Sequence, residues 1–220
     1  MMSTSSEAKQ QREDMVKDQI SRRGVRCKRT LAAMQKVPRE KFIPQKIRQF
    51  AYYDRPLPID EEQTISQPYI VALMTEALAL EGGERVLEIG TGSGYAAAVL
   101  AEIASKVYTV ERLELLAQKS ASLLSQLGYS NIEVLCGDGT QGWPEHAPYD
   151  GIIVTAGGPE IPESLKSQLK IGGRLIIPVG SSEHSQKLIR VIRLSETEFI
   201  TEDLADVRFV PLVGEEGWAK

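Results

Sequence analysis

The stretch Arg85-Val86-Leu87-Glu88-Ile89-Gly90-Thr91-Gly92-Ser93-Gly94-Tyr95 decides the fold. Its first half is a short apolar run closed by glycines, as expected of a strand buried on both faces of a parallel sheet. Residues 95–104 then read as a helix. A glycine loop between strand and helix sits at the carboxyl edge of such a sheet, where ligands bind and where a missing Cβ lets backbone come close to them. The spacing is G-x-G-x-G, with Tyr95 where the dinucleotide pattern G-x-G-x-x-G has its last glycine. No Gly-Lys-Ser/Thr follows, so a Walker phosphate loop is excluded too. A tight turn without any ligand is the competing reading of the loop taken alone.

Outward from this unit, β-rich runs at 85–89, 106–111, 132–136, 149–155 and 173–179 alternate with helical stretches at 95–104, 113–127 and 162–169. That alternation predicts an α/β protein: a Rossmann-like, doubly wound, mostly parallel sheet. Residues 187–194 and 207–212 read as antiparallel C-terminal strands. Upstream, residues 7–37 carry a helical pattern broken at Gly24, an N-terminal helical cap. Pro38, Pro44, Pro56, Pro58 and Pro68 punctuate a loop-rich segment before a helix at 68–80. One domain is expected, with 7–82 as cap and acceptor-site loop, 83–180 as cofactor-binding core and 181–220 as C-terminal strands.

Composition narrows the function. A net charge of -4 argues against an extended nucleic-acid surface. The basic run Arg22, Arg23, Arg26, Lys28, Arg29 has the spacing of a solvated helical face. No stretch approaches the roughly 18 apolar residues of a membrane span, and the start lacks a signal-peptide core, so a cytoplasmic protein is expected. The two cysteines, Cys27 and Cys136, have no metal-ligand spacing, and no metal is expected. Cys136 reads as buried filler, Trp143 and Trp218 as packing residues, and His146 and His184 as surface loop residues.

Two acids give the glycine loop a ligand. Glu111 closes the second strand, roughly twenty residues on, where a carboxylate can accept hydrogen bonds from both ribose hydroxyls. Asp138, in Cys136-Gly137-Asp138-Gly139, can accept an adenine amino group, although alone this is a generic turn. With Glu88 ahead of the glycines, the acidic-x-Gly-x-Gly-x-Gly arrangement resembles the first motif of S-adenosylmethionine-dependent methyltransferases.

The resemblance then becomes specific. Val37-Pro38-Arg39-Glu40, Ala51-Tyr52-Tyr53-Asp54-Arg55-Pro56-Leu57-Pro58-Ile59, Gln63-Thr64-Ile65-Ser66-Gln67-Pro68-Tyr69, Gly142-Trp143-Pro144-Glu145 and Val207-Arg208-Phe209-Val210-Pro211-Leu212 together resemble the protein-L-isoaspartate O-methyltransferases over nearly the whole chain. That resemblance implies methyl transfer from S-adenosyl-L-methionine to the free α-carboxylate of isoaspartyl residues in damaged proteins. It implies Ser66 as the catalytic residue and Gln63, Thr64, Ile65, Ser66, Glu88, Gly90, Thr91, Gly92, Ser93, Glu111, Asp138 and Gly139 as cofactor contacts. Isoaspartyl proteins and peptides are the implied partners, and a monomer without nucleic-acid or membrane partner is expected. Two places depart from the family pattern. Asp60-Glu61-Glu62 replace glycines, which questions the loop's flexibility, and Gly157-Gly158 replace small alanines, a change expected to loosen the acceptor wall.

The chemistry suits this residue set. A carboxylate acceptor, with a pKa near 4, is already ionised at neutral pH, so no strong base is required. Ser66 is expected to orient it by a hydrogen bond, against the local alternative that Ser66 caps the following helix. An extended acceptor peptide would lie along Val210, Pro211, Leu212 and Val213, unless these residues merely finish the sheet. A methyltransferase with another acceptor and a non-catalytic cofactor-binding module are the remaining readings.

Overall fold

The computed structural model describes residues 5–182 and 185–219. The chain starts with helix α1 (Ser5–Asp14), which widens into a π turn at Met15–Ile20 and ends at Gly24 in the left-handed region (φ 109°). Met15, Val16 and Ile20 are buried there, so the π turn is the part of this helix that packs inward. Helix α2 (Lys28–Lys36) follows and buries Thr30, Ala33 and Met34. The proline-punctuated segment holds a hairpin that its sequence did not announce, β1 (Leu57–Pro58) with β2 (Thr64–Ile65), Leu57 facing Ile65. Helix α3 (Pro68–Ala77) then starts with its proline in the first turn, where the absent N–H costs nothing.

The large sheet contains β3 (Arg85–Ile89), β4 (Lys106–Glu111), β5 (Ile132–Cys136), β6 (Tyr149–Val154), β7 (Leu169–Ser182), β8 (Ser185–Arg193) and β9 (Phe199–Val207). Its order is β5-β4-β3-β6-β7-β8-β9, parallel from β5 to β7 and antiparallel from β7 to β9. Between the strands run α4 (Tyr95–Ala101), α5 (Glu114–Gln126) and α6 (Glu163–Gln168). The chain moves outward from β3 to β5, then returns to place β6 on the other flank of β3. Strand order reverses there, and the loops leaving β3 and β6 diverge to open a crevice at their carboxyl ends. Two apolar layers enclose the sheet: one contains Met34, Leu78, Leu100 and Tyr95, the other Leu87, Ile152, Leu165 and Leu175.

Three expectations change. The last strand is β9 at Phe199–Val207, not 207–212. Pro211 has no N–H for a ladder, and past β9 its segment joins no strand ladder, meeting Gly157 through an isolated bridge. Strand β7 begins at Leu169, absorbing Gly172-Gly173, which shortens α6. Cys136 is exposed rather than buried, because β5 is the edge strand and Cys136 is its last residue.

Candidate active site

The crevice is a cleft of about 520 Å³, well within the size range of small-molecule sites. It gathers most of the candidate site residues: Gln63 to Ser66, Glu88 to Ser93, Glu111, Gly139 and Val210 to Val213 all line it, whereas the 37–40 and 142–145 segments do not. Nor does Asp138. Its Oδ1 accepts from the Thr140 amide (2.9 Å) and hydroxyl (2.7 Å), and its Oδ2 from the Glu215 amide (2.8 Å), so it braces the turn behind Gly139.

Backbone strain at the glycine loop is relieved by composition. Gly90 has φ 91°, a region closed to most side chains. The Thr155 hydroxyl, at the end of β6, donates to the Ile89 carbonyl (3.0 Å) and the Gly90 carbonyl (2.7 Å), clamping the two divergent loops together. Thr155 is a site residue that the sequence reading missed. The strand register, which sets Val154 beside Ile89, brings it there, and nothing local in the sequence signals it.

Glu111 is 5 % exposed. Its Oε2 accepts from the Gly92 amide at 2.8 Å and its Oε1 from the Leu113 amide at 3.0 Å, which fixes the carboxylate at the rim. Glu88 is completely buried, and its Oε2 accepts from the Thr109 hydroxyl at 2.6 Å. Thr91 continues the chain to Thr109, also at 2.6 Å. Glu88 Oε1 makes no hydrogen bond of ordinary geometry among the described residues, although the Ala97 amide lies near enough to favour the charged carboxylate. Burial pushes the Glu88 carboxyl up to about 8, the Thr109 hydroxyl opposes this and the Glu111 charge adds to it. A rim carboxylate beside a glycine loop, each of its oxygens taking one amide and keeping lone pairs over, fits a ligand that brings a pair of hydroxyls, as the ribose of an adenosyl group does.

This shift carries a stability consequence. The folded protein binds the Glu88 proton more tightly than the unfolded chain, so the contribution is full below about 4.5 and is lost as pH rises through about 8. In thermal melts, Glu88→Gln should therefore gain on the wild type progressively between pH 5 and pH 8 and hold that gain above. A gap independent of pH would contradict the assignment.

Ser66 is half-buried and lies between β2 and α3. The residue at the helix cap is Gln67, with no side-chain cap bond, and the capping carboxylate comes from Asp54, which accepts from the Tyr69 amide (3.2 Å) and the Gln67 side chain (2.8 Å). Ser66 is thereby released from the capping role, and its hydroxyl has no hydrogen bond among the described residues. At the hairpin tip, Glu61 and Glu62 both adopt φ 57°, so they hold the left-handed shape that glycine favours. The segment beyond β9 lines the same cleft as Ser66. Gly157 donates to the Val210 carbonyl (2.8 Å) and accepts from the Leu212 amide (2.8 Å). By backbone alternation the Pro211 carbonyl and Val213 amide point the other way, and neither has a hydrogen bond among the described residues.

The remaining residues fall outside this chemistry. Trp143 and His146 pack on Tyr108, His146 stacked at 4.1 Å and half-buried rather than freely exposed. Trp218 donates from its indole to the Gly157 carbonyl (2.9 Å). His184 lies outside the described residues.

Fold and cleft together define the class: an α/β methyltransferase dependent on S-adenosyl-L-methionine. The model of the protein-L-isoaspartate(D-aspartate) O-methyltransferase family matches residues 10–217, and the chain belongs to that family. It is 62% identical over 209 residues to protein-L-isoaspartate O-methyltransferase 1 of Rhodopseudomonas palustris strain HaA2, covering 95% of this chain and 85% of that one. A Pelobacter propionicus relative, protein-L-isoaspartate O-methyltransferase 2, is 61% identical over 94% of this chain and 92% of its own. A solved protein-L-isoaspartate O-methyltransferase superposes with a TM-score of 0.84 at 32% identity, over 94% of this chain and 67% of that one. A Plasmodium falciparum structure in complex with S-adenosyl-L-homocysteine gives 0.78 at 26%, over 92% and 98%.

Proposed function

We propose that this chain methylates the free α-carboxylate of L-isoaspartyl residues in damaged proteins and peptides, the resulting ester favouring succinimide formation and return to aspartate. The observation that carries the reading is a hydroxyl without a partner among the described residues, Ser66, in the same cleft as Glu111 and as a main-chain ledge whose Pro211 carbonyl and Val213 amide are likewise unbonded among those residues.

When bound, S-adenosyl-L-methionine supplies an electrophilic methyl group carried on a sulfonium. Glu111 would hold the ribose hydroxyls, and the backbone of Gly90, Thr91, Gly92 and Ser93 would pass beneath the nucleoside. Gly139 would flank the adenine, with Asp138 behind it offering the lone pairs that its three internal bonds leave over. Glu88, Gln63, Thr64 and Ile65 would surround the cationic methionine end. Ser66 would donate to the acceptor carboxylate and fix its orientation. Near-attack positioning and exclusion of water then account for the acceleration, since the acceptor already carries its charge.

An isoaspartyl link routes the backbone through the side-chain carbon, so recognition must hold main chain of any sequence and test where the carboxylate falls. Val210, Pro211, Leu212 and Val213 supply that grip through Pro211 C=O and Val213 N–H, as an added strand would. We take the chain to be one cytoplasmic, monomeric domain without a nucleic-acid partner, in keeping with its net charge of -4.

With labelled cofactor, an isoaspartyl peptide should acquire a base-labile methyl ester released as methanol, and the matched aspartyl peptide should not. Equal labelling of both peptides, or of neither, defeats the proposal. Ser66→Ala should lower kcat roughly tenfold to a hundredfold, the worth of one charge-assisted hydrogen bond, with S-adenosylhomocysteine affinity nearly unchanged. Wild-type turnover in that variant removes Ser66 from the chemistry.

A further inference from the structure

The loop after β6 forms the wall against which the acceptor ledge rests, and Gly157 is its contact point. A Cβ built on Gly157 would stand 2.9 Å from Cδ of Gln186 and 3.0 Å from its Cγ. The volume that a small side chain at 157 would occupy is therefore filled from β8. At this position the wall is closed by the Gln186 side chain.

Gln186 does more than fill space. It is 2 % exposed, and its Oε1 accepts from the Phe209 amide at 2.8 Å while its Nε2 reaches the Ser182 carbonyl at 3.4 Å. Phe209 immediately precedes Val210, the first residue of the ledge, and Val210 and Leu212 bond to Gly157. One buried amide thus touches both sides of the contact that sets where the ledge lies. Gln186 itself does not line the cleft.

We infer that Gln186 is a positioning residue for the acceptor: by packing on Gly157 and latching Phe209, it sets the placement of residues 210–213 and so the free Pro211 carbonyl and Val213 amide offered to the peptide. The inference rests on reading those residues as the peptide ledge. Its action runs through the acceptor side, since Phe209, Ser182 and Gly157, which it bonds or packs on, are not residues assigned to the nucleoside.

The test measures kcat and KM for an isoaspartyl peptide, the Kd for S-adenosylhomocysteine, and the melting temperature. Gln186→Met keeps the volume beside Gly157 and deletes the acceptor for Phe209. It should raise peptide KM about fivefold to tenfold, the effect of one lost hydrogen bond, and leave S-adenosylhomocysteine Kd within about twofold. Gly157→Ala should raise KM by a similar factor in the wild type, and add little in a Gln186→Ala background, where the new methyl finds room. Unchanged peptide KM in Gln186→Met, a parallel loss of S-adenosylhomocysteine affinity, or additive effects in the Gly157/Gln186 cycle each overturn the inference. A wild-type protein that forms no ester on the isoaspartyl peptide overturns the functional reading beneath it, an outcome distinct from normal wild-type turnover with unresponsive variants.

Discussion

Glu111→Ala should weaken S-adenosylhomocysteine binding by about a hundredfold, measured by titration calorimetry. The estimate follows from two hydrogen bonds between ribose hydroxyls and a carboxylate, each worth roughly 1.5 kcal/mol, at about 1.4 kcal/mol per decade of affinity. The carboxylate is already aimed, since the Gly92 and Leu113 amides hold one oxygen each. Removing it also frees the Gly92 amide and so loosens the loop beneath the nucleoside. Glu111→Gln separates these effects: it keeps one acceptor oxygen and should lose only about tenfold. A change below threefold in the alanine variant would show that the sugar is not held at this rim.

Gly90→Ala is expected to be strongly destabilising. The residue has φ 91°, and its new Cβ would stand 2.4 Å from Thr155 Oγ1. That oxygen has nowhere convenient to go, because it is bonded to both the Ile89 and Gly90 carbonyls. Backbone strain together with a steric clash should cost about 2–4 kcal/mol in urea unfolding. Thr155→Ala in the same chain removes the obstructing oxygen but not the unfavourable φ, so the double variant should recover about half of the loss. If Gly90→Ala loses less than about 1 kcal/mol, the close approach of the two loops is not as tight as described.

Both predictions concern the part of the molecule that sequence reveals best. Strands β3, β4 and β6 are buried on both faces, so their apolar runs, closed by Gly90, Glu111 and Thr155, stand out against the helices between them. Motif residues Gly90, Gly92, Glu111 and Ser66 are legible because they fall in a glycine loop at a strand end, at the close of the next strand, and within a stretch that resembles a known family. At the C-terminal edge this logic fails. Strand β9 is half wet and alternates poorly, whereas 207–212 is apolar yet interrupted by Pro211, so the segment that reads as a strand is irregular and its polar neighbour is the strand. Thr155 and Gln186 were invisible for another reason. Their partners, Gly90 and Phe209, lie 65 and 23 residues away, and no local pattern encodes such a meeting. The helix-cap alternative for Ser66 was settled in the same way, by Asp54 reaching Tyr69 from 15 residues upstream.

The hairpin tip shows how a backbone shape can outlast the residues usually chosen for it. Glu61 and Glu62 keep the left-handed turn without glycine, each under a modest steric penalty. Leaving that region means crossing crowded conformational space, so the tip has fewer shapes to wander through than a glycine pair would give it. The freedom that a supple loop would surrender on meeting any partner has already been given up at folding, and the hairpin stands pre-bent just ahead of Ser66.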